Sequence, residues 1–290
     1  MTDTRLTPCT QSSQLPIAVI LGTNEIASAV AVSLTDLGYS VVLSHDAFPP
    51  VIRRAMAFHD ALFGDRAAVD GVEGERAETA KEIATVLARP SHVAVTQLHL
   101  TDLIALFSIR VLVDARMQKH RTTPDFRGIV DVTVGLGPHF AVGVNCDVAV
   151  ETRPVKNGTI VRFGETDLAD GVSRSLGGVG AGRFVYSGHN GRWHTPLEIG
   201  MRLFKGIVVG HLDGQPVPAP IDGVLRGLVR DSTSVPAGVK LVEIDARGRD
   251  AQWTGTDERG RAIAAATIKA IRLHELRPAM SAMGSLFTSI

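Results

Sequence analysis

The stretch that decides the fold of the second half of the chain is one pattern written twice. Glu198-Ile-Gly-Met-Arg-Leu-Phe-Lys-Gly-Ile-Val-Val-Gly-His-Leu-Asp213 aligns with Arg230-Asp-Ser-Thr-Ser-Val-Pro-Ala-Gly-Val-Lys-Leu-Val-Glu-Ile-Asp245 at an offset of 32 residues. Each copy places a glycine before alternating apolar residues, which is typical of a turn that leads into a strand. Because neither copy can bury its apolar face alone, the repeat predicts two intertwined halves of one β-structure. Coincidence between two similar hairpins is the alternative.

Two halves of this kind resemble the biotinyl/lipoyl type of barrel-sandwich domain. In that carrier fold, a modified lysine sits at the tip of the hairpin that joins the halves. Here the tip reads Asp213-Gly-Gln-Pro216, an Asp-Gly turn without a lysine, and Lys205 and Lys240 lie elsewhere. We therefore predict an all-β barrel-sandwich module over 191–250 that packs or docks but carries no swinging arm.

The first half of the chain has the pattern of a β-α-β unit. An apolar run ends at Gly22, a helically spaced stretch follows over 23–37, and a second apolar run covers 39–44. This order predicts parallel strands and a Rossmann-like α/β domain over 15–190. We further predict a disordered tail at 1–14, and a C-terminal helix and tail over 251–290 that pack back onto this domain.

The turn after the first strand is where a dinucleotide would bind. The fingerprint there is Gly-x-Gly-x-x-Gly or Ala, and this chain offers Gly22, Asn24 and Ala27. Asn24 adds a side chain where a pyrophosphate would approach the backbone, and the carboxylate of Glu25 would repel a phosphate. Asp46 lies where a ribose-binding acid is expected. The sequence thus predicts a degenerate turn at Gly22, Asn24 and Asp46, and it disfavours NAD(P).

A second group of candidate residues follows later strands of the same domain. A buried strand ends at Asp114, which is followed by cationic residues, and a turn with two glycines follows the strand predicted at 130–134. Ligands gather beyond the C-terminal ends of parallel strands, so these residues predict an anion site. The alternative is that Asp114 and Arg116 only pair with each other or cap a loop, and bind no ligand. The candidate ligand-binding residues are Asp114, Arg116, Lys119, Gly135, Gly137 and Glu151.

Composition bounds the functional class. Lysine plus arginine equals aspartate plus glutamate at 30 each, which argues against nucleic acid as a partner. Cys9 and Cys146 form neither a disulfide framework nor a zinc pattern, and the ten histidines show no ligand spacing, so no metal site is predicted. No apolar run is long enough to span a bilayer. These observations predict a cytoplasmic protein that does not enter a membrane; homo-oligomerisation stays open.

Several segments together resemble the accessory proteins of selenium-dependent molybdenum hydroxylases. They read Val-Asp-Ala-Arg-Met at 113–117, Val-Gly-Leu-Gly-Pro-His-Phe at 134–140, Val-Glu-Thr at 150–152, Ala-Pro-Ile-Asp-Gly-Val-Leu-Arg at 219–226 and Val-Pro-Ala-Gly at 235–238. The similarity covers most of the chain in the expected order. It implies a cytoplasmic maturation factor for hydroxylases of the xanthine dehydrogenase type.

The chain departs from that family at three places. Gly-Thr-Asn-Glu at 22–25 replaces a glycine run followed by aspartate, and Arg-Pro-Val-Lys at 153–156 replaces an Asn-Arg-Gly-His motif. His139 stands where the family has a glycine. The resemblance therefore indicates a diverged member in which ligand-facing residues have changed.

Three functions of different class follow from these patterns. The first is an accessory or maturation factor, not a classical enzyme, that binds an anionic cofactor such as the molybdenum cofactor and a hydroxylase client or its maturation proteins. The second is a nucleotide-dependent oxidoreductase on the Rossmann-like domain. The third is an assembly scaffold that catalyses nothing.

Overall fold

The computed structural model describes residues 15–118 and 123–276. They form a mixed α/β protein with one nine-stranded mixed sheet and two four-stranded antiparallel sheets. This architecture confirms the predicted α/β class in its coarse form. The tail predicted at 1–14, the last part of the helix and tail predicted over 251–290, and the candidate ligand Lys119 lie outside the described residues.

The nine-stranded sheet belongs to the first half of the chain. The strands are β1 Ile17–Leu21, β2 Ser40–Ser44, β3 Ala67–Val69, β4 Val72–Arg76, β5 His92–Thr96, β6 Ile109–Asp114, β7 Val132–Leu136, β8 Val148–Val150 and β9 Ile160–Val161. Their order in the sheet is β3-β4-β5-β2-β1-β6-β7-β8-β9. The seven inner strands are parallel to one another, and the edge strands β3 and β9 are antiparallel to β4 and β8. Parallel strands end at one edge, so the turns after β1, β2, β6, β7 and β8 lie on the same side of the sheet.

Helices cover both faces of this sheet, which is why its strands are almost continuously apolar. In β1, Ala18 and Ile20 pack on one side and Val19 and Leu21 on the other. The first side is covered by two long helices and the second by two short ones. The helices are α1 Glu25–Asp36, α2 Ala80–Leu87, α3 Leu100–Leu106 and α4 Glu258–Glu275.

Helix α4 crosses back from the second half of the chain onto α1. The two helices approach closely at Gly260, where a Cβ atom would lie 3.2 Å from the Cβ of Ala29. Ile263, Ala270 and Ile271 of α4 are buried in the same apolar cluster as α1. The helix begins at Asp257, whose carboxylate accepts a hydrogen bond from the backbone N–H of Gly260 at 2.7 Å. The last helix thus completes the core of the first domain.

The segment after β2 contains little regular structure, with a 3-10 turn over Arg54–Met56. The side chains of Arg53 and Arg54 are only 13% and 15% exposed and bind carboxylates. The partner of Arg54 is the nearby Asp60, whereas Arg53 binds Glu25 and Glu243 from other parts of the chain.

The second half of the chain confirms the repeat. The strands are β10 Phe184–Tyr186, β11 Gly191–His194, β12 Arg202–Leu203, β13 Val208–Leu212, β14 Gln215–Pro218, β15 Gly223–Leu228, β16 Ser234–Val235 and β17 Lys240–Asp245. They form two sheets with the orders β10-β17-β15-β12 and β14-β13-β11-β16. A shift of 32 residues moves β12 onto β16 and β13 onto β17, and it converts one sheet order into the other.

Equivalent hydrogen bonds close the two copies. The backbone N–H of Gly206 donates to the carbonyl of Ala219 at 2.9 Å, and that of Gly238 donates to the carbonyl of Ser187 at 2.8 Å. Ala219 lies just before the second copy and bonds to the first, whereas Ser187 lies before the first copy and bonds to the second. The two halves are therefore intertwined. Asp213 and Gly214 have φ angles of 46° and 79° and form the predicted turn between β13 and β14.

Candidate functional site

The turns after β1, β2 and β6 contact one another at the carboxyl-terminal edge of the nine-stranded sheet, where β7 also ends. We call this edge the strand-end crevice and define it by Gly22–Asn24, Asp46, Asp114–Arg116 and Gly137. The side-chain amide of Asn24 donates a hydrogen bond to the carbonyl of Ala115 at 2.7 Å and so ties the first turn to the third. A Cβ at Gly22, whose φ is +107°, would lie 3.1 Å from that carbonyl oxygen. The turn therefore requires glycine there.

The N-terminus of α1 faces this crevice with its amides already bound. The side-chain oxygen of Asn24 accepts hydrogen bonds from the N–H groups of Ile26 and Ala27 at 3.0 and 3.1 Å. Glu25 binds Arg53 at 2.6 Å, so its carboxylate is held by a guanidinium and does not only face the helix dipole. A pyrophosphate would have to displace Asn24 from the amides that usually bind it.

Asp114 and Arg116 form a two-point ion pair, which is the alternative that the sequence left open. The guanidinium donates to the two carboxylate oxygens at 2.9 and 2.6 Å, and its third nitrogen lies 3.8 Å from Asp46. Burial lowers the pKa of Arg116, but the hydrogen bonds and charge of Asp114 outweigh burial and raise that pKa. Gln118 also donates to Asp46 at 2.7 Å. In the described part of the chain, Arg116 is the one cation that the crevice presents, and it is already paired with carboxylates.

The two candidate glycines have different roles. The strand predicted at 130–134 is shifted, so Gly135 lies inside β7 and not in the turn. A Cβ at Gly135 would overlap the ring of Phe140 at 2.1 Å, which makes this glycine a packing position and corrects the ligand role. Gly137 does face the crevice. Its φ is +102°, and a Cβ there would lie 3.3 Å from the sulfur of Met117 and 3.7 Å from the hydroxyl of Thr152.

Glu151 organises the loop after β8. Its carboxylate accepts hydrogen bonds from the backbone N–H groups of Thr152, Arg153 and Asp167 at 2.7, 2.9 and 2.8 Å. The side chain is buried and both oxygens are used. These contacts give Glu151 a structural role beside the crevice.

The hydroxyl of Thr23 lies between two imidazole rings and extends the crevice. This group was not predicted from the sequence. The Oγ1 atom of Thr23 lies 2.9 Å from Nδ1 of His59 and 3.4 Å from Nδ1 of His45. The ring centroids of the two histidines are 5.3 Å apart. Thr23 and His45 each follow a strand end, which was a usable signal, whereas His59 comes from a 3-10 turn that sequence spacing did not place.

Both imidazoles are held neutral. Burial, followed by the charges of His45, Arg54 and Arg230, lowers the pKa of His59 to about 3. Burial also lowers the pKa of His45, although Asp46 and Glu78 act in the opposite direction. Since Thr23 can donate only one hydrogen, one ring accepts from it and the other donates to it. Thr23 and the two neutral rings therefore form a short hydrogen-bonded chain at the crevice wall.

A buried ion network lies beside the crevice and joins the sheets of the two halves. Glu243 of β17 is fully buried and binds Arg53 at 2.7 Å and Arg183 at 3.1 Å. Arg226 lies 3.6 Å from Glu243 and donates to Asp257 at 2.7 Å. Burial raises the pKa of Glu243, but Arg53, Arg226 and Arg183 outweigh it and lower that pKa to about 2. The sequence offered no signal for this network because its members are far apart in the chain.

Two further properties bear on function. Within 15–118 and 123–276, no cluster of three or more histidine, cysteine, aspartate or glutamate side chains is arranged to hold a metal ion. In the same residues, no helix combines the length and apolar character needed to cross a bilayer.

The strand-end crevice thus lies at one sheet edge of a mixed α/β protein, and a comparison with known sequences finds a relative of this chain. The chain is 29% identical over 260 residues to the uncharacterized protein YqeB of Escherichia coli strain K12, with 89% of this chain covered. The match covers 47% of that protein, so the chain spans about half the length of the curated relative. No protein-family model matches the chain.

Two solved structures share only a distant likeness. One is an aspartoacylase family protein from Mesorhizobium loti, at 12% identity and a TM-score of 0.23, with 80% of this chain and 85% of that chain covered. The other is the product-bound ectoine utilization protein EutE (DoeB) from Ruegeria pomeroyi, at 16% identity and a TM-score of 0.23, with 79% and 85% covered. Scores of this size carry no argument about this chain.

Proposed function

We propose that this chain is an accessory factor in the maturation of a molybdenum hydroxylase, and that the strand-end crevice binds its cofactor cargo. In this proposal the nine-stranded sheet is a Rossmann-like domain. The two four-stranded sheets are a barrel-sandwich module of the biotinyl/lipoyl type, and they provide a surface for the client. The protein acts as a carrier or adaptor for the cofactor and not as a classical enzyme.

One observation carries the proposal. Three segments that resemble the accessory family, 113–117, 134–140 and 150–152, are separated in sequence but end at the same edge of the sheet. Asp114, Arg116 and Gly137 from these segments meet the turn after β1 in one crevice. If the family shares a ligand site, the residues in which this chain resembles the family are expected to lie together at that site.

The charge of the crevice limits the kind of ligand. The described wall presents Asp46 and Asp114 against a single guanidinium, that of Arg116. These carboxylates suit the amide and amino donors of a pterin ring, and an anionic tail of the cofactor would need further cations. Lys119, which lies outside the described residues, is our candidate for that role.

The nucleotide-dependent oxidoreductase is a weaker candidate on the same geometry. The side chain of Asn24 accepts hydrogen bonds from the N–H groups at the start of α1. A dinucleotide would have to displace Asn24 before its pyrophosphate could bind there.

The proposal is tested by coexpression with a molybdenum hydroxylase that depends on accessory proteins. We expect the wild-type chain to raise the molybdenum content of the purified hydroxylase, measured by mass spectrometry, and to bind isolated molybdenum cofactor. Arg116→Ala should weaken cofactor binding by about 1.5–3 kcal/mol, because Asp114 then loses the charge-assisted hydrogen bonds that hold its carboxylate in place. Arg89→Ala, on an exposed ion pair with Glu75, is the matched control and should bind normally.

Failure to bind either the cofactor or the hydroxylase, in purified and in cell-extract settings, would overturn the proposal. Equal loss of cofactor in the Arg116→Ala and Arg89→Ala variants would instead show that the crevice is not the binding site.

A further inference from the structure

A second cleft, separate from the strand-end crevice, lies between the edge strand β3 and the segment 195–199. Its volume is about 790 Å³, which is within the range of ligand-binding clefts. One wall carries Ala67 and Ala68 of β3, and the other carries Leu197, Glu198 and Ile199. Nothing in the proposed cofactor function uses this cleft.

The wall formed by β3 presents unpaired main-chain groups. The hairpin turn at Asp70 and Gly71 pairs Val69 with Val72, and the register continues with Ala68 opposite Glu73. Hydrogen-bonded and non-hydrogen-bonded pairs alternate along an antiparallel ladder, so the N–H and C=O of Ala68 point away from β4. Among the described residues, none outside that hairpin bonds to the Ala68 main chain. Such an edge is a template for a further strand.

The side chains along the cleft allow another backbone to come close. Ala55 and Ala57 extend the alanine wall of β3, so small methyl groups line its base. On the opposite wall, Leu197 and Ile199 alternate with the exposed Glu198. Alternation of this kind matches the two faces of an extended chain, whose side chains point in opposite directions.

Charge in the cleft selects the occupant. Each of the three arginines has a carboxylate partner: Arg54 binds Asp60 at 2.5 Å, Arg66 binds Glu73 at 2.8 Å and Arg230 binds Asp65 at 2.5 Å. By contrast, no side chain in the described parts of the chain pairs with the carboxylate of Glu198. The buried Oδ1 atom of Asp60 accepts no hydrogen bond there, but Arg230 lies 3.5 Å from it. Glu198 is therefore the carboxylate that the cleft leaves for a cationic ligand.

We propose that this cleft binds an extended, basic segment of a partner protein, which adds to β3 as a new edge strand. Main-chain hydrogen bonds to Ala68 supply affinity, and a lysine or arginine that pairs with Glu198 supplies specificity. The segment 195–199 stands opposite β3, so a single extended chain fits more easily than the sheet edge of a second copy.

The test uses the whole chain and a displayed library of random decapeptides. We expect enrichment of sequences that alternate apolar residues with others and that contain lysine or arginine. Binding of the selected peptides should fall roughly tenfold in Ala68→Pro, because proline removes the outward N–H at an edge position that tolerates it. Ala68→Ser keeps the N–H and is the matched control, which should bind normally. Glu198→Gln should weaken binding and reduce its salt dependence, whereas Glu165→Gln, outside the cleft, should not.

A second measurement protects the test against misfolding of the proline variant. Methylation of alternate backbone nitrogens of a selected peptide should abolish binding to the wild-type chain, since those nitrogens can no longer donate. Absence of enriched sequences, or equal binding to wild type and Ala68→Pro, would overturn the proposal. Self-association that is lost in Ala68→Pro would also overturn it, because a second copy would then be the occupant.

Discussion

Arg53 and Glu243 form a two-point ion pair although 190 positions separate them in the chain. The guanidinium donates at 2.7 and 3.1 Å to the two oxygens of a carboxylate that is inaccessible to solvent. Arg53 follows the second strand of the large sheet, and Glu243 lies in the last strand of the second half. The pair therefore links the two halves of the protein directly.

The first prediction concerns this link. Glu243→Gln should lower the free energy of unfolding by about 3 kcal/mol, because removing one partner of a buried ion pair leaves the guanidinium charges uncompensated. Urea unfolding followed by circular dichroism measures the change. Glu75→Gln, in the exposed pair with Arg89, should change stability by less than about 1 kcal/mol. Similar losses in both variants would show that burial does not strengthen the link.

The second prediction concerns the pH dependence of stability. The pKa of His59 is about 3 in the folded protein against an ordinary value of 6.5, so the unfolded chain takes up the proton first. Stability is therefore complete above pH 6.5 and falls as the pH drops below it, by up to about 1.4 kcal/mol per pH unit. Urea unfolding at pH 7.5, 6.5 and 5.5 measures the slope. His59→Gln should make it shallower, and an unchanged slope would contradict a buried neutral imidazole.

The third prediction separates the crevice from a nucleotide site. Calorimetric titration with NAD, NADP, ATP and CTP should give no binding to the wild-type chain. Asn24→Gly should give none either, although it opens the amides of Ile26 and Ala27. Glycine is nearly as good a cap as asparagine, so loss of the cap should cost only a few tenths of a kcal/mol. Loss of the hydrogen bond from Asn24 to the carbonyl of Ala115 should add about 1 kcal/mol. Binding that improves in Asn24→Gly would favour the nucleotide-dependent enzyme.

The fourth prediction tests the repeat. Gly206 and Gly238 occupy equivalent turns with φ angles of 87° and 80°, and a Cβ at either would meet no atom within 4 Å. Alanine at each should therefore destabilise the protein by a similar amount, about 1 kcal/mol, through backbone strain alone. Thermal unfolding of the two single variants provides the comparison. A cost at one glycine and none at the other would show that the copies differ in their turn conformation.

Some parts of the fold were accessible from local pattern. The helix predicted at 23–37 forms as Glu25–Asp36, because its cap at Asn24 and its stop at Gly38 are encoded beside it. The predicted strand at 130–134 was less accurate, since Gly135 looks like a turn residue in isolation. Its place inside β7 depends on the ring of Phe140, which fills the space that a side chain would take.

The candidate site divides in the same way. Asp114, Arg116 and Gly137 could be found because each follows a predicted strand end. Whether Asp114 would pair with Arg116 or leave it for a ligand could not be found, because backbone direction after the strand sets that distance. Glu151 was selected by the same rule, but its carboxylate oxygens accept hydrogen bonds from three backbone N–H groups and have a structural role.

The sequence by itself determined the periodic features: the β-α-β order, the 32-residue repeat, and the Asp213-Gly214 turn that lacks a lysine. Each depends on residues that are neighbours or that recur at a fixed interval. Only the tertiary structure decided the contacts of Arg53 with Glu243, the grouping of Thr23 with two histidines, and the cleft beside β3. These features join side chains from distant segments, and their geometry exists only after the sheets and helices have packed.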